Sequence, residues 1–71
     1  PNPLSNLMTI SHSTENSRLF LFNTTGKLVL EHSLIKGNNH IDVSTLPIGL
    51  YTYRIVDKNS QILIENKIIK S

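Results

Sequence analysis

Seventy-one residues without a single cysteine allow one small domain, held by apolar packing and backbone pairing rather than by disulfides or thiolate metal sites. Size scaling gives roughly 4,500 Å² of folded surface against roughly 11,600 Å² for the extended chain, enough for one thin core but not for a deep substrate pocket. A formal net charge of +2 is too weak to indicate nucleic acid or a membrane surface, and no apolar run approaches the ~20 residues of a membrane span. Alanine is absent, whereas isoleucine, leucine, asparagine, serine and threonine dominate, a balance that favours pleated strands over helices.

No secretory signal peptide opens the chain. It begins Pro1-Asn2-Pro3 without an initiator methionine, which is expected of a piece of a longer protein. The opening segment runs to Asn6, its two prolines denying backbone donors to any sheet. Leu7 to Ser11 reads as a first strand, and His12 to Ser17 as a polar loop. Arg18 to Asn23 is a second strand, apolar on both faces, so that Phe20 and Phe22 need cover from a loop or another protein. Asn23-Thr24-Thr25-Gly26 is a hairpin turn with Gly26 at the positive-φ position. Lys27 to Ser33 is a third strand of unclear register, with Leu28 and Leu30 favouring one face and Val29 the other.

Gly37-Asn38-Asn39 marks the next turn, and His40 to Val43 a short strand with Ile41 and Val43 directed together. Ser44 to Gly49 is a corner punctuated by Pro47 and Gly49. Leu50 to Asp57 is the clearest strand, with Tyr51, Tyr53 and Ile55 on one face and Thr52 and Arg54 on the other. Lys58-Asn59-Ser60 turns the chain into a last strand, Gln61 to Ile69. There Ile62, Ile64 and Ile68 share a face that Asn66 interrupts by a bulge or a switch of sides. About six strands, or seven if the last is broken, with turn signals about every 8–12 residues, predict an all-β fold: a small antiparallel sandwich or barrel spanning residues 1–71 as one domain.

The chemistry-bearing residues do not assemble into an enzyme on paper. His12, His32 and His40 stand far apart, and the carboxylates Glu15, Glu31, Asp42, Asp57 and Glu65 are scattered singly. Neither zinc nor calcium spacing is present. No serine lies on a Gly-x-Ser-x-Gly elbow, and the thiol route is closed. No catalytic, metal or cofactor-binding residue is therefore assigned. Asn23-Thr24-Thr25 matches a glycosylation acceptor, but its place in a hairpin explains it sufficiently. Leu46-Pro47-Ile48-Gly49-Leu50-Tyr51 carries more. A leucine closing a turn, a relaxing glycine and a tyrosine opening a strand resemble the tyrosine corner of immunoglobulin-like sandwiches.

Four features now stand in order: Pro1-Asn2-Pro3, Phe22 to Val29 with Gly26 at its turn, Gly37 to Tyr51, and Lys67-Ile68-Ile69-Lys70 at the end. Together they resemble the type A C-terminal sorting domain of the type IX secretion system of Bacteroidetes. The resemblance covers essentially the whole chain. It implies an immunoglobulin-like β-sandwich that serves as an export address for an N-terminal cargo. The secretion translocon would recognise it, and a sortase-like surface peptidase would then remove it upstream of Pro1, leaving the cargo secreted or anchored at the cell surface. By match of motif, Pro1, Asn2 and Pro3 correspond to the opening motif and Lys67 and Lys70 to the basic one. Gly26, Gly37, Asp42, Leu46, Pro47, Gly49 and Tyr51 fall in the motif stretches between. The turn at Asn59-Ser60 departs from the asparagine-glycine pair that many members favour, but asparagine tolerates the left-handed region, so a hairpin is still expected there.

Lys67 and Lys70 lie three apart in an extended segment, so they should face opposite ways. Either one joins a recognised patch, or both keep an exposed edge soluble. Expected partners are the translocon, the peptidase and the cargo, with no nucleic acid and no direct membrane insertion. A fibronectin-like adhesive module recognising sugar or protein is the alternative. The inward placement of Tyr51 and Tyr53 and the lack of tryptophan leave it few aromatic platforms.

Overall fold

The computed structural model describes residues 7–12 and 15–71. Pro1, Asn2 and Pro3, and the rest of the predicted opening segment, lie outside the described residues, as do Ser13 and Thr14 of the polar loop. Six strands follow in order: β1 Leu7–His12, β2 Ser17–Phe22, β3 Leu28–Leu34, β4 Gly37–Asp42, β5 Gly49–Val56 and β6 Ile62–Lys70. All pairings are antiparallel. One sheet has the order β3-β2-β5-β6 and the other is the pair β1-β4. The predicted all-β sandwich is what the chain forms, and its 4639 Å² of surface matches the size expectation.

The core follows from alternation. On β2, Ser17, Leu19 and Leu21 are buried while Arg18 is exposed. Leu19 and Leu21 pair with Ile55 and Tyr53 of β5, and Tyr51 pairs with Ile68 of β6. From the smaller sheet Met8 and Ile41, which face each other across β1 and β4, close over this layer together with Val43, and Leu34 at the end of β3 joins the same core. As expected, Ile41 and Val43 point the same way, both inward.

Two bulges correct the predicted faces. Leu21 pairs with Leu30 but Phe22 with Leu28, so Val29 is the extra residue of β3. Leu28 and Leu30 therefore part company. Leu28 turns out beside Phe22, while Val29 and Leu30 both pack against the core. The ambiguous register of this strand was the bulge itself. In β6 the break falls at Leu63, not at Asn66: Ile55 pairs with Ile64, and Val56 with Ile62. Asn66 stays in register opposite Tyr53, its Oδ1 accepting a hydrogen bond from the N–H of Lys67 at 2.9 Å. Ile62 consequently leaves the face of Ile64 and Ile68.

The turn predicted at Gly37-Asn38-Asn39 is instead the first half of β4, and the reversal occurs at Ile35-Lys36. The cause is the Asn39 side chain, which is 6% exposed. Its Oδ1 accepts from Ile35 N–H at 2.9 Å, and its Nδ2 donates to the Ile35 carbonyl at 2.9 Å and to those of Ile10 and Gly37 at 3.3 Å. A buried amide can thus replace a longer turn, because it satisfies the backbone groups that the tight reversal leaves over.

Candidate functional site

The register sorts the molecule into two ends. β2 finishes, β3 begins, β4 finishes, β5 begins and β6 finishes at the same end, and β1 starts there opposite Asp42. Three loops and tails meet at it: the hairpin Asn23–Lys27, the corner from Asp42 to Gly49, and the last residues of β6. Gly26, Asp42, Leu46, Pro47, Gly49, Tyr51, Lys67 and Lys70 are all at this end. Gly37 is not. It pairs with His12 at the far end of the smaller sheet.

The hairpin is clamped by one side chain. Asn23 Oδ1 accepts the backbone N–H groups of Thr25 and Lys27, both at 3.0 Å, and the Thr25 hydroxyl at 2.7 Å. The Gly26 N–H returns to the Asn23 carbonyl at 3.0 Å, with Gly26 at the expected positive φ of 84°.

The corner is tied in three places. Ser44 N–H donates to Asp42 Oδ1 at 2.9 Å, and the Ser44 hydroxyl, the larger influence, together with this N–H holds the Asp42 carboxyl below its ordinary range. Leu46 N–H donates to the Val43 carbonyl at 3.0 Å. The Tyr51 hydroxyl donates to the Pro47 carbonyl at 2.5 Å, the bond expected of a tyrosine corner, while its ring lies in the core.

Lys67 and Lys70 face opposite sides, as their spacing requires. Lys67 pairs with Thr52 on the outer face of the large sheet and is exposed. Lys70 follows Ile68 inward, is 6% exposed, and donates its ammonium to the Leu46 carbonyl at 2.8 Å. The expectation that both lysines might only solubilise an edge is corrected for Lys70. It is a structural clasp, its charge answered by a carbonyl that the corner leaves unpaired in the backbone ladder.

The outer face of the large sheet supplies the remaining relief. Phe20 and Phe22, expected to need a covering loop or partner, are half-buried by long side chains of their own sheet. The Arg54 guanidinium sits over the Phe22 ring, 5.1 Å from its centroid, and donates to Glu65 at 2.9 Å. Arg18 pairs with Glu31, the residue directly opposite Phe20 on β3. An open groove of about 480 Å³ runs here between the hairpin and β6, lined by Phe22, Leu50, Thr52, Arg54 and Lys67. Arg54 Nε is buried beneath this surface without an acceptor. A second shallow groove of about 420 Å³ lies across Leu50, beside Val29, Pro47 and Ile48.

Sequence reasoning missed three of these contributors. Asn39, Arg54 and the Asn23 clamp carry no motif, although the repeated spacing Asn23-x-x-Gly26 and Asp57-x-x-Ser60 was visible. Among the described residues the histidines stay apart: His12 Nε2 meets Ser17 Oγ at 2.9 Å, His40 Nδ1 meets Thr9 Oγ1 at 3.3 Å, and His32 Nδ1 bonds the Ser33 carbonyl at 2.7 Å. No three metal-ligating side chains converge among them. Among the described residues no helix is long and apolar enough to cross a membrane. The site is a shaped surface of open relief, suited to being held rather than to enclosing a substrate.

Searches of curated proteins and of solved structures return no match. The family model described as the secretion system C-terminal sorting domain matches residues 1–71. A family model spanning the whole chain, on a fold of the expected kind, places this protein in the family of C-terminal sorting signals of the type IX secretion system.

Proposed function

We propose that these 71 residues form one autonomous domain that rides at the C-terminal side of a larger cargo and is read by the type IX machinery as a preformed solid. The observation that carries this reading is the convergence of Gly26, Asp42, Leu46, Pro47, Gly49, Tyr51, Lys67 and Lys70 on one end of the sandwich. Hydrogen bonds fix that end without help from any cargo. A signal shared by many cargos must keep its own shape, and this end does so.

Within this reading Tyr51, Pro47, Leu46 and Lys70 maintain the shape, while Lys67 presents charge. A sortase-like peptidase then removes the domain upstream of Pro1, and the cargo reaches the medium or the cell surface. No nucleic acid or bilayer insertion has a part in it. The experiment is a reporter carrying a secretory signal peptide, fused ahead of residues 1–71 in a bacterium with this secretion system. Surface or extracellular reporter is the expected result. Periplasmic retention with the domain intact and folded overturns the proposal.

A further inference from the structure

The groove on the outer face of the large sheet has a composition that contacts within the chain only partly use up. Its cations are Arg54 and Lys67 and its single carboxylate is Glu65, already engaged by Arg54. Arg54 Nε is buried and lacks an acceptor, and Lys67 makes no ion pair. Beside these donors stand Phe22 and Leu50, with Ile69 paired to Leu50 on the same face. Leu50 is 40% and Ile69 50% exposed, large values for apolar residues at neighbouring positions.

We propose that this groove is where the export machinery grips the domain, through an extended peptide segment that carries a carboxylate beside a bulky apolar side chain. The inference rests on the sorting function and adds to it the face and the chemistry of the partner. The Lys67 ammonium, the groove's cation that Glu65 does not engage, suits a carboxylate, and removing water from it strengthens the contact. The apolar half of the wall and the single surplus positive charge favour a peptide over a polyanionic glycolipid, which is held by clusters of cations.

Thr52 provides the sharpest test because it lies directly between Phe22 and Lys67 in the register. Thr52→Glu sets a carboxylate of the chain's own in the groove, opposite Lys67. It should leave the unfolding midpoint unchanged or raised, since opposite charges across a strand pair are favourable. A merely structural role for this face would not then show in export. In the reporter fusion, Thr52→Glu and Leu50→Ser should each cut the exported fraction by about tenfold, as expected at the centre of an interface. Ser33→Glu, which places the same charge beside Arg18 at the other end, should export like the unsubstituted fusion.

Equal export of Thr52→Glu, Leu50→Ser and the unsubstituted fusion overturns the groove while the sorting function stands. Failure of the unsubstituted fusion removes the sorting function and the groove with it. A photo-crosslinker at position 50 then identifies what sits there. Attachment to a segment of the machinery containing Asp or Glu, with export of Thr52→Glu restored by a charge reversal in that segment, is the expected result. Attachment only to an anionic glycolipid overturns the assignment of a peptide.

Discussion

Gly26 and Ser60 occupy the same position in two hairpins built on one plan. In each, an Asx side chain five residues before the start of the returning strand accepts two backbone N–H groups: Asn23 from Thr25 and Lys27, Asp57 from Asn59 and Gln61. In each, the first residue exchanges backbone bonds with the fourth and fifth, and the fourth has positive φ, 84° at Gly26 and 66° at Ser60. The left-handed residue of the second turn is therefore Ser60 and not Asn59. A serine there bears a Cβ penalty that glycine escapes.

Ser60→Gly should accordingly stabilise the domain by about 0.5–1 kcal/mol, the relief of strain being partly offset by added freedom in the unfolded chain. Gly26→Ala should destabilise it by about 1 kcal/mol through backbone strain alone, because a Cβ at Gly26 meets nothing within 4 Å. Urea midpoints with unchanged m-values check both.

Tyr51→Phe keeps the buried ring and removes only the bond to Pro47. A loss of about 1 kcal/mol is expected, which for a domain of this size lowers Tm by about 4–8 °C. A melting temperature unchanged by the substitution would leave the corner held by packing alone.

The two lysines of the last strand should behave differently. Lys70→Met retains the buried stem but leaves the Leu46 carbonyl without its donor, at a cost of about 1.5–3 kcal/mol. Lys67→Ala should change stability by less than about 0.5 kcal/mol, as for other exposed positions without a partner. Export and stability measured side by side separate the clasp from the charge.

Asp42 gives the corner a dependence on acid. Its carboxyl is held low, chiefly by the Ser44 hydroxyl and then by the Ser44 N–H, so the unfolded chain binds this proton more readily than the folded one. Its contribution is fully present above the ordinary carboxylate value of about 4 and is lost as pH falls through the lowered folded value. Asp42→Asn should flatten that part of the stability curve, measured by thermal unfolding at successive pH values: it lowers stability at neutral pH, where the carboxylate contributes, and converges with the parent in acid, where that contribution is gone.

Much of this fold was legible because burial enforces alternation. Leu19, Leu21, Tyr51 and Ile55 announce their strands by period two, and Gly26 and Pro47 announce turn and corner. The unreadable parts share one cause, a contact between residues distant in sequence. Whether Val29 or Leu63 becomes the extra residue of a bulge is decided by the strand across from it. Asn39 looks like a turn residue until the carbonyl of Ile10, 29 positions earlier, gives its amide a buried partner. Lys70 looks solvated until the Leu46 carbonyl, 24 positions earlier, takes its proton donor. Of the candidate site, the sequence shows Gly26, Asp42, Leu46, Pro47, Gly49, Tyr51, Lys67 and Lys70 only as residues strung along the chain. Their meeting at one end, and the absence of Gly37 from it, required the register.

The order of assembly has a consequence for folding. β2 cannot complete its sheet until β5 arrives, and the corner beneath Leu46 is not fastened until the side chain of Lys70, next to last in the sequence, swings in. Folding of the corner therefore waits on a partner 24 positions downstream, and a cut between the two leaves the Leu46 carbonyl without its donor.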